Sequence, residues 1–332
     1  GCGDGPSRHI EKAISDYQTG DRDRATARLA VDLLHYAAEF VTEVPHAVCG
    51  EKLVFAREGK VLRLLYPVVE TFDISGEWRM ISFDAERNAL AVSNGRALKV
   101  LEGGLVRGEL VVSPDGKAPI TGIIMSHDAV LYSAGQMVYR YEAGSGGGEL
   151  LFRGAKFPSP IGLAASDTVI SSRGSLISLV TGNAGVYRAS VADLSTGAVL
   201  MKDRPVTSRR SALGDSRFYY VAGSMGAWTI ASAGIASGKS DALYQFSDAF
   251  DVALAEQGAV VHRADGVWLV NFSSGKKLRL PFEYSLAGQC VNRALIRCGK
   301  MSALVDIGKL ASKAEEIAAR LPDLFSGKTP GK

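Results

Sequence analysis

The feature that most constrains this chain is a pattern that occurs seven times: a short apolar run, a glycine, and a second short apolar run. The first copy, within residues 50–65, reads Leu53-Val-Phe-Ala-Arg-Glu-Gly59-Lys-Val-Leu-Arg-Leu-Leu65. The later copies centre on Gly95, Gly135, Gly174, Gly223, Gly266 and Gly299, giving steps of 36, 40, 39, 49, 43 and 33 residues. Runs of four to six apolar residues are too short for helices. A glycine between two of them suits a tight hairpin turn, where φ is positive and a Cβ is costly.

A period near forty residues with several short strands in each unit predicts a β-propeller of four-stranded blades. Seven copies make it seven-bladed. In the second unit Arg79–Phe83, Ala89–Ser93, Ala97–Leu101 and Glu109–Val112 fall in as strands A to D. In the third, Gly122–Met125, Val130–Ser133, Met137–Tyr141 and Glu149–Phe152 do the same. A chain of 332 residues is long enough for two average domains, but a closed β architecture often exceeds 250 residues as one unit.

The ends read differently. Ser7 caps a helix from about Arg8 to Tyr17 that ends at Gly20, and a second helix follows from about Asp21 to Val44. The expected organisation is a linker over 1–7, a helical hairpin over 8–45, the propeller over 46–308, and a C-terminal helix with a polar tail over 309–332. The seventh unit lacks an obvious strand D, so the hairpin and the C-terminal helix are expected to cover the seam. The fold class is therefore all-β with a helical hairpin before the propeller and one helix after it.

Two resemblances add to this. Asp193-Leu-Ser-Thr-Gly197-Ala-Val resembles the Asp-Leu-x-Thr-Gly-x-Val link between outer strands in the YVTN and quinoprotein-like (WD40-like) propellers. The tryptophan dock of the quinoprotein dehydrogenases is not evident, so no cofactor is carried over. Gly1-Cys2-Gly3-Asp4-Gly5 is similar to the start of a mature bacterial lipoprotein, which implies lipidation of Cys2 and a membrane anchor. Gly3 after that cysteine implies the periplasmic side of the outer membrane, within the cell envelope.

Chemistry is sparse. Ala233-Gly-Ile-Ala-Ser-Gly238-Lys239-Ser240 approaches a phosphate loop but has Ala233 for its first glycine and no helix after it, so it reads as a hairpin turn. The five histidines have no second ligand at metal spacing, and His262 reads as a structural side chain. No metal site is expected. Cys290 and Cys298 fall at opposite ends of neighbouring strands, too far apart for a disulfide. Cys49 and Cys290 fall at similar heights in the first and seventh units, which leaves a disulfide between them and reduced thiols both open.

With 38 basic against 35 acidic residues, nothing demands nucleic acid. The basic residues nevertheless cluster in the turns expected on one side: Arg57, Arg96, Arg173, Arg263 and Arg297, joined by Arg204, Arg209 and Arg210 after the fourth unit. The acidic residues there are Glu58, Asp203 and Asp265. Such a face attracts an acidic protein partner by steering and charge-assisted hydrogen bonds; its plainer reading is a set of solvated turn arginines paired with local carboxylates. Two function classes stand: a non-catalytic binding scaffold, and an enzyme (a lyase or hydrolase) using the channel mouth. The inner strands offer mostly small neutral residues there, Ser82, Ser126, Ala164 and Ala253, which favours the scaffold.

Overall fold

The computed structural model describes residues 15–16, 19–20, 38–42, 47–50, 53–58, 61–66, 70–73, 78, 80–84, 87–111, 119–126, 129–134, 137–144, 149–150, 167–183, 186–224, 227–279, 284–290, 293–298 and 301–320. Their strands form seven four-stranded antiparallel sheets. Numbered along the chain, the first is β1 (Ala38–Thr42), and β2 (Ala47–Gly50), β3 (Leu53–Glu58), β4 (Val61–Tyr66) and β5 (Glu70–Asp73) make one sheet. The next holds β6 (Met80–Asp84), β7 (Ala89–Ser93), β8 (Ala97–Glu102) and β9 (Leu105–Val111). It is followed by β10 (Ile120–Ser126), β11 (Ala129–Ala134), β12 (Met137–Tyr141) and β13 (Glu149–Leu150). Then come β14 (Asp167–Arg173), β15 (Leu176–Asn183), β16 (Val186–Asp193) and β17 (Val199–Val206). The sheet after that contains β18 (Ser211–Leu213), β19 (Arg217–Ser224), β20 (Ala227–Gly234) and β21 (Ser240–Phe246). The last strands are β22 (Ala249–Leu254), β23 (Gly258–Arg263), β24 (Gly266–Asn271), β25 (Lys277–Arg279), β26 (Tyr284–Cys290), β27 (Arg293–Cys298) and β28 (Met301–Asp306).

The expected strands of the second and third units are found within a few residues of their positions. The reason they are so legible is burial on both faces. All five residues of β7 are buried, as are the first five of β11, so these middle strands read as unbroken apolar runs rather than alternating ones. From β6 to β17 successive sheets pack face to face. Ala89, Ala91, Leu98 and Val100 of one sheet meet Ile120, Met125, Val130, Tyr132 and Tyr141 of the next. Ile124, Leu131 and Val138 then meet Ile170, Ile177, Leu179 and Ala192. Burying each such aliphatic side chain contributes about 1.5–3 kcal/mol.

The chain divides into two compact units. One consists of His46–Ser224 with Ile230–Ala242; the other of Gly1–Pro45, Met225–Thr229 and Leu243–Lys332. In each, a side chain stitches neighbouring first strands together. The buried Ser82 hydroxyl of β6 accepts a hydrogen bond from the Met125 N–H of β10 at 2.9 Å. In the other unit Gln289 of β26 makes a reciprocal pair with Leu254 of β22, accepting from its N–H and donating to its carbonyl, both at 3.0 Å. Ser82 and the fully buried Ala253 are thus packed residues; Ser126 is half-buried, and Ala164 lies outside the described residues.

The seam differs from expectation. The fourth strand beside β26, β27 and β28 is β1, with Phe40 opposite Leu304, Val41 opposite Ala303 and Thr42 opposite Ser302. The helix expected to run to Val44 therefore gives way to a strand at Ala38–Thr42. Ala-Glu-Phe-Val-Thr fits a helical apolar pattern, but its aromatic and β-branched residues also suit a strand, and the open edge of β28 decides between them. The first expected helix is seen only at its end, where Thr19 N–H bonds Ser15 O at 3.0 Å and Gly20 takes φ +102°; residues 8–14 and 21–37 lie outside the described residues. The C-terminal helix, Ile307–Arg320, begins two residues earlier than expected, with Asp306 accepting the Lys309 N–H at 2.9 Å as its cap. It buries Ile307, Leu310 and Ala311, and the Ala311 carbonyl accepts from Asn271 Nδ2.

The phase of the sheet β14–β17 also differs from expectation. Gly174 joins the first and second strands of its sheet, whereas Gly95 and Gly266 join the second and third of theirs. In this sheet the second-to-third connection lies between Asn183 and Val186. The 49-residue step from Gly174 to Gly223 marks the change. The Asp193–Gly197 link does join the two outer strands, and the same turn occurs in the two following sheets. Gly197, Gly238 and Gly275 take φ of +70°, +67° and +66°, and their N–H groups bond back to Asp193, Gly234 and Asn271. One residue after each of those acceptors, the N–H of Leu194, Ile235 and Phe272 bonds the carbonyl of Ser175, Ser216 and Gln257 in the first-to-second turn of the same sheet. The phosphate-loop-like stretch 233–240 is the middle one of these turns.

Candidate partner-binding surface

In an antiparallel sheet the first-to-second and third-to-fourth turns leave one end, and the second-to-third turns leave the other with the link to the next sheet. The phase of β14–β17 therefore moves Arg173 to the end opposite that expected. There it donates to Asp215 at 2.6 and 3.1 Å, reaching from one sheet to the next. That guanidinium holds the Asp215 carboxyl below the usual carboxylate range, chiefly through the hydrogen bond.

Arg204 lies within the outer strand β17 rather than in a connection. Lys202 and Asp203 together face Ser190 across the ladder, a bulge in which Asp203 takes φ +55°. Past this bulge Arg204 crosses to the next sheet. It donates to Tyr220 Oη at 3.1 Å, Ser240 Oγ at 2.6 Å and the Gly238 carbonyl at 2.7 Å, with its guanidinium 5.5 Å from the Tyr220 ring centre. This arginine clamps two sheets together. Arg217, which was not among the expected residues, does similar work within its own sheet by bonding Ser232 and Asp241.

The exposed members at the expected end of this unit are Arg96 and Arg209. Asn94 Oδ1 accepts the N–H groups of Arg96 and Ala97 at 2.9 and 2.8 Å, and Gly95 at φ +93° completes the turn that presents Arg96. Arg209 and the half-buried Arg210 sit in the link to β18. It is held by the Thr207 N–H on the Val221 carbonyl, Thr207 Oγ1 on the Gly223 carbonyl, and the Arg210 N–H on Ser208 Oγ. Arg57 stands in β3 opposite Leu62, one pair from the end of the ladder.

In the other unit Arg263 is half-buried and donates to Asp248 at 2.8 Å, with Asp265 at 3.7 Å. It lies 5.5 Å from the Trp268 ring centre, and Trp268 Nε1 donates to Asp265. The Asp248 hydrogen bond raises the Arg263 pKa further above its ordinary value. Arg297 lies between Ser285 and Ser302 with its Nε shielded from solvent. Asp215, Asp241 and Asp248 were missed from the sequence because none lies in the hairpin turn of the arginine it binds. Only Asp215 stands in a turn equivalent to that of its arginine, one sheet on, and that position was the available signal.

Cys2 lies outside the described residues. Cys49 pairs with Val54 in the β2–β3 ladder. Cys290 pairs with Arg293 and Cys298 with Tyr284, at opposite ends of β26–β27, as the strand arithmetic required. His262 is half-buried on β23, opposite Asp251 and Val267. Among the described residues no group of three or more His, Cys, Asp or Glu side chains is placed to hold a metal ion, and no helix is long and apolar enough to cross a membrane.

No family model and no curated protein matches the sequence. Solved structures do match in fold. The Dos1 propeller superposes with a TM-score of 0.50 at 9% identity, over 77% of this chain and 75% of that one. The fold is a β-propeller. BamB from Moraxella catarrhalis is similar at a TM-score of 0.48 and 9% identity, over 81% and 99% of the two chains. PorZ of Porphyromonas gingivalis, a surface component of the type-IX secretion system, gives 0.48 and 13% over 81% and 37%.

Proposed function

We propose that this propeller is a non-catalytic protein-binding scaffold of the cell envelope, anchored through lipid on Cys2 at the periplasmic side of the outer membrane. In this reading the seven sheets are blades of one ring that starts at β1 rather than at residue 46, so that it spans 38–306, preceded by a short helical hairpin that ends before β1. The partner is acidic and meets the second-to-third turns. The observation that carries the reading is the division of the arginines. Arg173 has been moved to the other end and Arg204 and Arg263 are half-buried, while Arg96 and Arg209 are exposed at the same end of one unit, on segments held by hydrogen bonds between side chains and backbone. Rigid presentation lowers the entropy lost on binding.

Two experiments test the proposal. Arg96→Glu with Arg209→Glu is expected to weaken capture of an acidic polypeptide, poly-L-glutamate, by about tenfold at low salt without moving the melting temperature. Unchanged capture would refute the basic surface. Expressed behind a lipoprotein signal, the chain is expected to take up palmitate label and Cys2→Ala to lose it; a labelled Cys2→Ala variant would refute the anchor.

A further inference from the structure

Among the described residues the outer strands β9, β13, β17 and β25 have no further strand beside them, and three of these four are blunted. β13 has two residues and β25 three, while β17 carries Lys202 and Pro205. β9 is different. Like β21 it has seven residues without proline, and unlike β21 it exposes large apolar side chains, Leu105, Val106 and Val111 being 63%, 57% and 64% exposed. These are three of the five large hydrophobic residues exposed among the described ones. An edge of this kind is a template for another strand.

Its sequence specifies which strand. Leu105-Val-Arg-Gly-Glu-Leu-Val111 has twofold character about Gly108. When two copies run antiparallel through that centre, Leu105 faces Val111, Val106 faces Leu110, and Arg107 faces Glu109, all twice. An isologous contact needs this self-complementarity, and oppositely charged residues directly across a ladder attract where like charges repel. Both side chains point outward enough to meet a partner, Arg107 being 53% and Glu109 44% exposed. Their present ion pairs, Arg107 with Glu102 and Glu109 with the half-buried Lys99, are each 3.7 Å long and reached by solvent, hence weak competitors. Arg107 is also the extra residue of the β8–β9 ladder, since Val100 faces Gly108 while Leu101 faces Val106. Such a bulge re-aims a side chain. At Gly108 itself an added Cβ would lie 2.7 Å from Tyr141 Oη, so a glycine at the centre keeps the strand seated on its neighbouring sheet.

We infer that β9 is a self-association edge: two copies of this chain pair antiparallel through Leu105–Val111, with Arg107 of each opposite Glu109 of the other. The contact is independent of the acidic-partner surface, which uses the turns. A short ladder with a bulge makes a small interface, so the dimer is weak and is populated above about 100 μM.

The test is a charge-reversal mixture of full-length chains followed by sedimentation velocity. Wild type is expected to dimerise, and Arg107→Glu or Glu109→Arg alone to remain monomeric, with at least tenfold weaker association, because each places like charges across both pairs. Mixing the two variants restores both pairs and is expected to restore the dimer. Intramolecular effects of either substitution are the same alone and mixed, so restoration reads the contact itself. Wild type remaining monomeric at about 200 μM, single variants that dimerise as well as wild type, or a mixture that stays monomeric would each overturn the inference.

Discussion

Replacing Phe40 and Val41 together by proline is expected to destabilise the protein by about 3 kcal/mol or more and to lower its melting temperature by about 5 °C or more. Along a strand the N–H groups point alternately to the two sides, so one of these two adjacent residues directs its N–H at β28. Proline at both positions removes that donor and constrains the backbone of the only strand covering β28 on its outer side. The uncovered strand carries Leu304 and Val305, both fully buried. The paired change to alanine keeps both N–H groups and is expected to cost less. Hydrogen exchange locates the damage: the amides of β28 lose protection while those of β7, in the other unit, keep theirs. A proline variant that melts like wild type, with β28 still protected, would show that β1 contributes nothing to stability.

Phe218→Ala is expected to cost about 3–5 kcal/mol, the larger of the two effects. Phe218 is fully buried where two sheets meet, among Val180, Ala189, Val191, Met201 and Val206 from one and Tyr220, Ala231, Ala233 and Ile235 from the other. Its ring lies 5.9 Å from that of Tyr220. Both sheets are fixed by their own ladders, and Arg204 pins them across Tyr220, Ser240 and Gly238, so they have little freedom to close on the vacated space. Phe218→Leu fills part of that space and is expected to recover more than half of the loss. Urea denaturation measures both. A loss below about 1.5 kcal/mol for the alanine variant would mean that the sheets move together after all.

Strands buried on both faces announce themselves. The apolar runs of β7 and β11, the glycine turns between them and their neighbours, and the Asp193–Gly197 link were legible because each is dictated by local residues: burial needs a run, and positive φ needs glycine. The C-terminal helix was legible for a similar reason, as a stretch of helix-forming residues from Lys309 to Leu321 that Pro322 stops. Ala38–Thr42 was not, because an amphipathic stretch of that composition suits either helix or strand, and the open edge that selects the strand is made about 260 residues away by β28. Nor was the role of each arginine. A run of turn arginines looks alike along the chain. Only the packing of one sheet on the next brings Asp215 to Arg173, and Tyr220, Ser240 and Gly238 to Arg204, while the hairpin from β23 to β24 lies where Asp248 can reach Arg263. The local sequence determined where strands and turns form, since their requirements are met by near neighbours. The tertiary structure decided which strand closes the last sheet and which cations are consumed, since both depend on partners that only packing supplies.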